Sequence, residues 1–572
     1  MSFFLAQIFR YDLRMRKNHN LFFVLVLISN FAFASSIWDQ GSPVPDGGRS
    51  NILNLADDQF AIYRDSGKLH AQQYPVSVTG ILPPYQPIVN VITDPSGNPL
   101  TEALNKIVAG VSGIKSFDQV MQNLGLHPYP QTTDTGIYQV PYPDGTRPDY
   151  RMGLGFIERN GAKGFTFSCA ACHSANLFGK TVLGMTNRFP TANDFFVKAK
   201  KLAPAVDLFL FQKASGATDA EVNLMSDLKT NIQRVGAIEP IQLGLDTSLA
   251  QVALSLSRRS QDGYATPSSW YQMFPREDAI LDHQPADSKP AVWWNVKYKN
   301  RWLLDGSILS GNPIFTNIIW NEIGRGADLQ VLEKWLADNP QTINELTTAV
   351  FSSQAPRITD FYPAELIDLE QAKAGQKIFN NTCAKCHGTY DKAWDLPNAD
   401  QLSAADKLKT TLVHPKVNTP VVDVGTDPYR RQGMKSLEQL NDLSISKANN
   451  IVIKEQPGYV PPPLVGIWAR WPYFHNNSAP SLCAVLTVGP QRPTSYYAGE
   501  ANDTQTDFDT DCNGYPLGDK TPQTWKQPQF LYDTTRVGMS NKGHDQNIFI
   551  KNGQEILTAV DKKSLIKFLQ TL

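Results

Sequence analysis

Apolar residues recur every three or four positions in several stretches of the chain, and this period predicts helices. Leu104, Ile107, Val108 and Val111 carry it within 101–123, and it returns over 192–212, 246–259 and 326–350. A further helix is predicted from Pro363 to Asn380, where Leu366, Ile367, Leu369, Ala372, Ile378 and Phe379 keep the same spacing. The chain closes on Val560 to Leu569, with Asp561 placed to cap a helix and Leu565, Ile566, Phe568 and Leu569 forming its apolar face. Gly375 and Phe379 offer a small residue and an aromatic at offsets suited to a crossing of these last two helices.

Other stretches lack a period. Residues 35–100 are rich in Pro, Gly, Ser and Asp, and they read as extended coil wrapped on the surface with short strands. Residues 128–150 are Pro-, Tyr- and Asp-rich loop, and Gly153 to Gly164 is glycine-rich. Pro356 and Pro363 punctuate 352–364, which makes that segment the predicted domain boundary. The resulting fold class is mainly α, loop-rich, with two helical domains at 151–355 and 356–572. An irregular N-terminal extension, 35–150, precedes them.

Residues 1–34 belong to a leader. Arg16 and Lys17 precede a mostly apolar stretch from Leu21 to Ala34, and Ala32-Phe33-Ala34 is an A-x-A cleavage site. That is the pattern of a secretory signal, and the apolar run is shorter than the roughly 20 residues of a membrane span. The expected location is periplasmic or secreted, with no permanent membrane span after cleavage. Composition adds one exclusion. Lys and Arg total 53 against 54 Asp and Glu, for a net charge of −1. Nucleic acid needs a basic footprint, so it is not an expected partner.

The cysteines change the picture most. Four of the six form two copies of one motif, Cys169-Ala170-Ala171-Cys172-His173 and Cys383-Ala384-Lys385-Cys386-His387. C-x-x-C-H is the attachment signature of c-type haem. The two thiols add to the haem vinyl groups, and the adjacent His supplies the proximal imidazole. At this composition, chance would give roughly 0.001 copies. A zinc site would want paired C-x-x-C motifs and no trailing His, and a thioredoxin-like pair needs no His either. The expected cofactors are therefore two covalently attached haem c groups. Cys483 and Cys512 remain, and an even pair in an exported chain predicts a disulfide.

Each iron needs a second axial ligand or a vacant position. Outside the leader and the motifs, the available histidines are His70, His127, His283, His414, His475 and His544, with Met434 and Met539 as alternatives. The Trp293-Trp294 pair reads either as core packing or as an aromatic relay between two haems.

Together these features resemble the bacterial di-haem cytochrome c peroxidase superfamily, and most closely its branch containing the haem-type rubber oxygenases. The resemblance runs from about residue 150 to the C-terminus. It rests on the two haem motifs some 200 residues apart, on Trp293-Trp294 with Lys297 and Asn300, on Pro472-Tyr473-Phe474-His475-Asn476, and on Asn541 to His544. It implies two cytochrome c-like domains and an oxidoreductase that activates peroxide or dioxygen at the N-terminal haem, whose proximal ligand is His173. It also implies a C-terminal haem ligated by His387 and His544 and acting as an electron reservoir. Trp294, with Trp293 beside it, would share electrons between the two. The partners so implied are peroxide or dioxygen, with an apolar organic substrate or a small redox protein donor. Plain electron transfer through two six-coordinate haems is the alternative.

Overall fold

A computed structural model describes Ile37 to Leu572, apart from 94–98, 100, 103–104, 107–113, 133, 278–280 and 282–283. The leader, the apolar period at Leu104 to Val111 and His283 lie outside the described residues. The chain is mainly helical, with 42% helix and 12% strand. Among the described residues the strands form six two-stranded antiparallel pairs.

The helix of the second motif, Leu369–Thr382, begins where Asp368 accepts the backbone N–H of Gln371. The predicted start at Pro363 is instead a separate turn, Ala364–Leu366. The helix crosses the terminal helix, Ala559–Leu569. A Cβ on Gly375 would stand 2.0 Å from the Ser564 carbonyl oxygen, so the two backbones meet at that glycine. Phe379 packs on Phe568 one turn later, with ring centres 5.2 Å apart. Asp561 does not cap the terminal helix as predicted. Thr558 is the cap, and Asp561 closes the reciprocal half of a capping box.

The stretch 35–100 departs from the predicted coil, for it contains the helices Asp57–Gln73 and Tyr85–Thr93. The first has few large apolar residues and buries Gly67, Ala71 and Gln72. A Cβ on Gly67 would lie 2.0 Å from the Glu345 carbonyl oxygen of helix Pro340–Ser352. Small residues make this contact, and small residues leave no hydrophobic period. Helix Pro313–Gly324 escapes a reading by period for the opposite reason. It buries Thr316, Ile318, Ile319, Trp320, Glu322 and Ile323, so it has little polar face to alternate with. The predicted periods at 192–212, 246–259 and 326–350 contain helices Ala192–Leu202 and Leu208–Ser215, Ser248–Leu256, and Leu329–Asp338 and Pro340–Ser352.

From Trp38 to Leu572 the chain forms a single compact unit. One buried cluster joins Ala175, Leu177 and Trp294 to Phe379, Trp468 and Phe568. A second gathers Leu249, Trp293, Ile323, Leu346 and Phe351. The neighbours Trp293 and Trp294 therefore belong to different cores. Cys483 and Cys512 form a disulfide, with Cα atoms 4.9 Å apart. Among the described residues no helix is long and apolar enough to cross a membrane.

Candidate functional site

Cys383 lies at the C-terminal end of its helix, and Ala384–His387 adds one further turn. That turn points Cys383, Cys386 and His387 into a cavity of about 220 Å³. Its walls are largely apolar, with Phe379, Leu464, Ile467, Leu482, Leu486, Ile548, Leu565 and Leu569 among them. The three motif side chains are half-exposed by area although they sit deep in the molecule, because their free surface opens on this cavity. Neither Cys383 nor Cys386 takes part in a disulfide.

His387 Nδ1 lies 2.7 Å from the Pro462 carbonyl oxygen, a contact that makes Nδ1 the protonated nitrogen. The other ring nitrogen then keeps its lone pair for a metal. Pro461, Pro462 and Pro463 lack N–H groups, so this run presents carbonyls without competing donors. Tyr390 Oη donates to the His387 carbonyl at 3.1 Å and accepts the Leu464 N–H at 2.6 Å. This ties the motif to the segment that carries Pro462.

His544 stands across from His387, with ring centres 6.3 Å apart. Two imidazoles bound to opposite sides of one metal at about 2 Å each would hold their ring centres roughly 6.3 Å apart. His544 is fixed through its backbone N–H, which donates to the Val424 carbonyl at 2.7 Å. Gly543 takes a positive φ of 81° and packs on the Gly425–Thr426 backbone, where a Cβ would come within 2.3 Å of the Gly425 carbonyl carbon. The glycine thus serves a close approach between two chain segments. His544 Nδ1 is buried without a hydrogen-bond partner.

Burial lowers the pKa of His387 to about 4, with the Pro462 carbonyl raising it and Arg470 lowering it further. Burial also lowers His544 to about 3, helped by His387 and Arg492. The Cys383 thiol is pushed up to about 12 by burial. The histidines are therefore neutral, the state in which imidazole ligates a metal. Two thiols, a proximal His held by a carbonyl, an opposing His and an apolar cavity together fit a haem.

The other candidates for the axial position lie elsewhere. His475 also borders the cavity, but its ring is stacked on Tyr459 at 4.1 Å. Met539 Sδ accepts a hydrogen bond from Tyr532 Oη at 3.1 Å, and Met434 is fully buried in the second core. His70 pairs with Glu345, and His414 bridges Asp46 and Asp391.

The first motif is built differently. Strands Leu154–Arg159 and Ala162–Phe167 form a hairpin, and the motif follows as a short turn, Cys169–Ala171. Gly153, at φ 95°, lets that turn press onto the hairpin, since a Cβ there would lie 2.6 Å from the Ala171 Cα. Asn187 closes the turn from outside by donating to the Ala171 carbonyl at 2.8 Å, and His127 in turn contacts Asn187. His173 Nδ1 leans toward the Ala291 carbonyl without closing a hydrogen bond. Burial brings the His173 pKa down to about 4 and raises the pKa of both Cys169 and Cys172. Trp293 packs against the His173 ring, with centres 5.7 Å apart. Among the described residues no second histidine pairs with His173 as His544 pairs with His387.

The adjacent Trp294 points the other way. Its Nε1 donates to the Val465 carbonyl at 3.0 Å, three residues beyond Pro462. The dipeptide therefore touches the first motif through Trp293 and the segment holding His387 through Trp294. Sequence reasoning singled out both tryptophans and both motifs. It missed Pro462, which acts through a backbone carbonyl, although the run of three prolines marks a stretch whose carbonyls lack the usual partners.

Comparison with known proteins bears on this site. Residues 458–497, the stretch that supplies Pro462, Tyr473, His475 and Leu482, match a family described as RoxA-like, cytochrome c-like. The match supports a haem cofactor and a relation to the rubber oxygenase-related haem proteins, and it marks a haem oxidoreductase in general terms. Two relatives come from Sinorhizobium fredii (strain NBRC 101917 / NGR234). The chain is 24% identical to uncharacterized protein y4iJ over 483 residues, which is 71% of this chain and 76% of the relative. It is also 24% identical to uncharacterized protein y4iM over 304 residues, 49% of this chain and 63% of that one.

Proposed function

We propose that this chain is an exported di-haem c-type oxidoreductase that activates peroxide or dioxygen at a haem on Cys169, Cys172 and His173. Cys383, Cys386, His387 and His544 would hold a second haem, which would supply an electron reservoir. The observation that carries this reading is the inequality of the two sites: His387 faces a second imidazole, and among the described residues His173 faces none.

When bound, haem would supply a redox-active iron at each site, able to take up a small oxidant only where a coordination position stays open. The residues divide that work. The Pro462 carbonyl holds the His387 tautomer, and the Val424 carbonyl holds the backbone of His544. The apolar wall of Phe379, Leu482 and Leu565 keeps water from the bis-His site. Trp293 packs against His173, and Trp294 donates to the Val465 carbonyl, so one dipeptide joins the surroundings of the two sites. The oxidant would be reduced with electrons from a small redox protein, or its oxygen would be inserted into an apolar organic substrate.

Spectra of the purified protein test this. One low-spin haem that ignores carbon monoxide and one reduced haem that binds it are expected. Two low-spin haems, both inert to carbon monoxide and peroxide, would replace the reading with plain electron transfer.

A further inference from the structure

The lining of the bis-His cavity includes polar groups as well, Thr382, Thr426, Tyr473 and the outward-bonded Lys385 among them. Lys289, Arg470 and His475 border the cavity, and nothing acidic answers them. Lys289 Nζ donates to the carbonyls of Pro472 at 2.6 Å and Arg470 at 3.4 Å. Arg470 Nη1 reaches the Pro463 carbonyl at a long 3.5 Å. Neither cation is ion-paired with a carboxylate among the described residues; the charged groups felt by Lys289 are Arg470 and Arg188. His475 is 8% exposed, and its Nε2 is buried without a partner. Two half-buried basic side chains facing a largely apolar cavity, with the Lys289 ammonium disfavoured by burial, and an unmet imidazole nitrogen are costly unless a ligand satisfies them.

We propose that Lys289, Arg470 and His475 form a dicarboxylate-binding wall that receives the two propionate groups of a tetrapyrrole tethered at Cys383 and Cys386. The inference rests on the haem reading above and deepens it. Two propionates carry two negative charges, which would balance Arg470 and hold Lys289 in the ammonium form that burial alone disfavours. The arginine fork suits a carboxylate bidentately, and the lysine serves as a point charge. His475, held flat on Tyr459, has its ring direction fixed before any ligand arrives. Cations against the propionates favour the reduced iron, which carries one positive charge fewer. The wall would thus raise the potential of a bis-His haem that its axial ligands hold low.

The test is spectroelectrochemical titration of the full-length exported holoprotein, with Lys289→Gln, Arg470→Gln and the charge-keeping Arg470→Lys. The wild type must first show two haems per chain by pyridine haemochrome; a single haem would defeat the di-haem reading, and only its absence from the Cys383–Cys386 fragment would overturn this proposal with it. Given two, each Gln variant is expected to shift the midpoint of the low-spin haem to more negative potential, with the His387/His544 spectrum and the other haem unchanged. Arg470→Lys should recover most of the shift, and Lys563→Gln, a charge loss on the exposed surface, should cause none. An unmoved midpoint in haem-replete Lys289→Gln and Arg470→Gln would overturn the proposal. Should Arg470→Gln fail to accumulate, Lys289→Gln against wild type decides alone: a negative shift supports the wall, and no shift removes it.

Discussion

The two C-x-x-C-H motifs are the same five-residue idea set in two unlike surroundings. The second ends a capped helix that crosses the terminal helix through Gly375, and it opens on an apolar cavity. The first follows a β-hairpin as a short turn, with Asn187 bracing it and Trp293 against its histidine. His387 donates its Nδ1–H to the Pro462 carbonyl and faces His544, whereas His173 leans toward Ala291 without closing a hydrogen bond and, among the described residues, faces no second histidine. On the proposed reading the motif would supply a tether and one ligand. Segments 75 to 157 residues away decide what the iron on that tether would do.

The strongest way to break the comparison is to remove the frame of one side. Gly375→Val forces a side chain to within 2.0 Å of the Ser564 carbonyl, and separating the two helices should cost about 3–5 kcal/mol. The expected outcome is loss of haem at Cys383 and Cys386 in the accumulated protein, read by haem-stained gels of fragments cut between the motifs. Equal haem content in the variant and wild type would show that the crossing does not frame the second site.

Breaking the disulfide with Cys483→Ser acts on the same half more mildly. It frees a loop of 29 residues, and the entropy model gives about 3–4 kcal/mol. The melting temperature should fall while both Soret signals persist at room temperature, measured by thermal scans with and without reductant.

His544→Ala makes the two sites alike without dismantling either. One low-spin signal should become high-spin and open to carbon monoxide, with the other haem unchanged by electron paramagnetic resonance. A persistent low-spin pair would give the ligand role to another side chain.

The tryptophans sharpen the comparison from within one dipeptide. Trp293→Phe should alter the spectrum of the His173 haem, because that ring touches the histidine. Trp294→Phe removes the hydrogen bond to Val465 and should leave both spectra in place. If Trp294 relays electrons, turnover with peroxide or dioxygen falls by about tenfold in folded Trp294→Phe. Normal turnover there would reduce Trp294 to packing.

The smallest effect joins the N-terminal segment to the second-motif half. His414 binds Asp46 on one side and Asp391 on the other, and these two hydrogen bonds raise its pKa above the usual value. A raised pKa means that the protonated form favours the folded state. The contribution is complete below the unfolded value of about 6.5 and is lost as pH rises through the folded one. His414→Asn should flatten the stability difference between pH 6 and 8 by a fraction of a kcal/mol, about what an exposed pair contributes, in denaturant titrations at each pH. An unchanged pH profile would dismiss the bridge.

The chain order alone determined much of this protein. Two motifs, each with both thiols beside a histidine, need no tertiary information, because the spacing is local covalent chemistry. Gly375 and Phe379 were legible for the same reason, since they lie one turn apart on a single predicted helix. The helix Asp57–Gln73 was not legible, because Gly67 and Ala71 make its contact by being small. The residue types alone left six histidines and two methionines open for the place opposite His387, and it was the resemblance, with the Gly543-His544 step, that pointed to His544. That choice depends on which distant loop comes back across the cavity. The approach of Gly543 to Gly425 and the bond from His544 to Val424 bring that loop in. Trp293 and Trp294 divide in the same way. Their identity is sequence, but which one meets His173 and which one meets Val465 is decided by two cores that pack on opposite sides of one dipeptide.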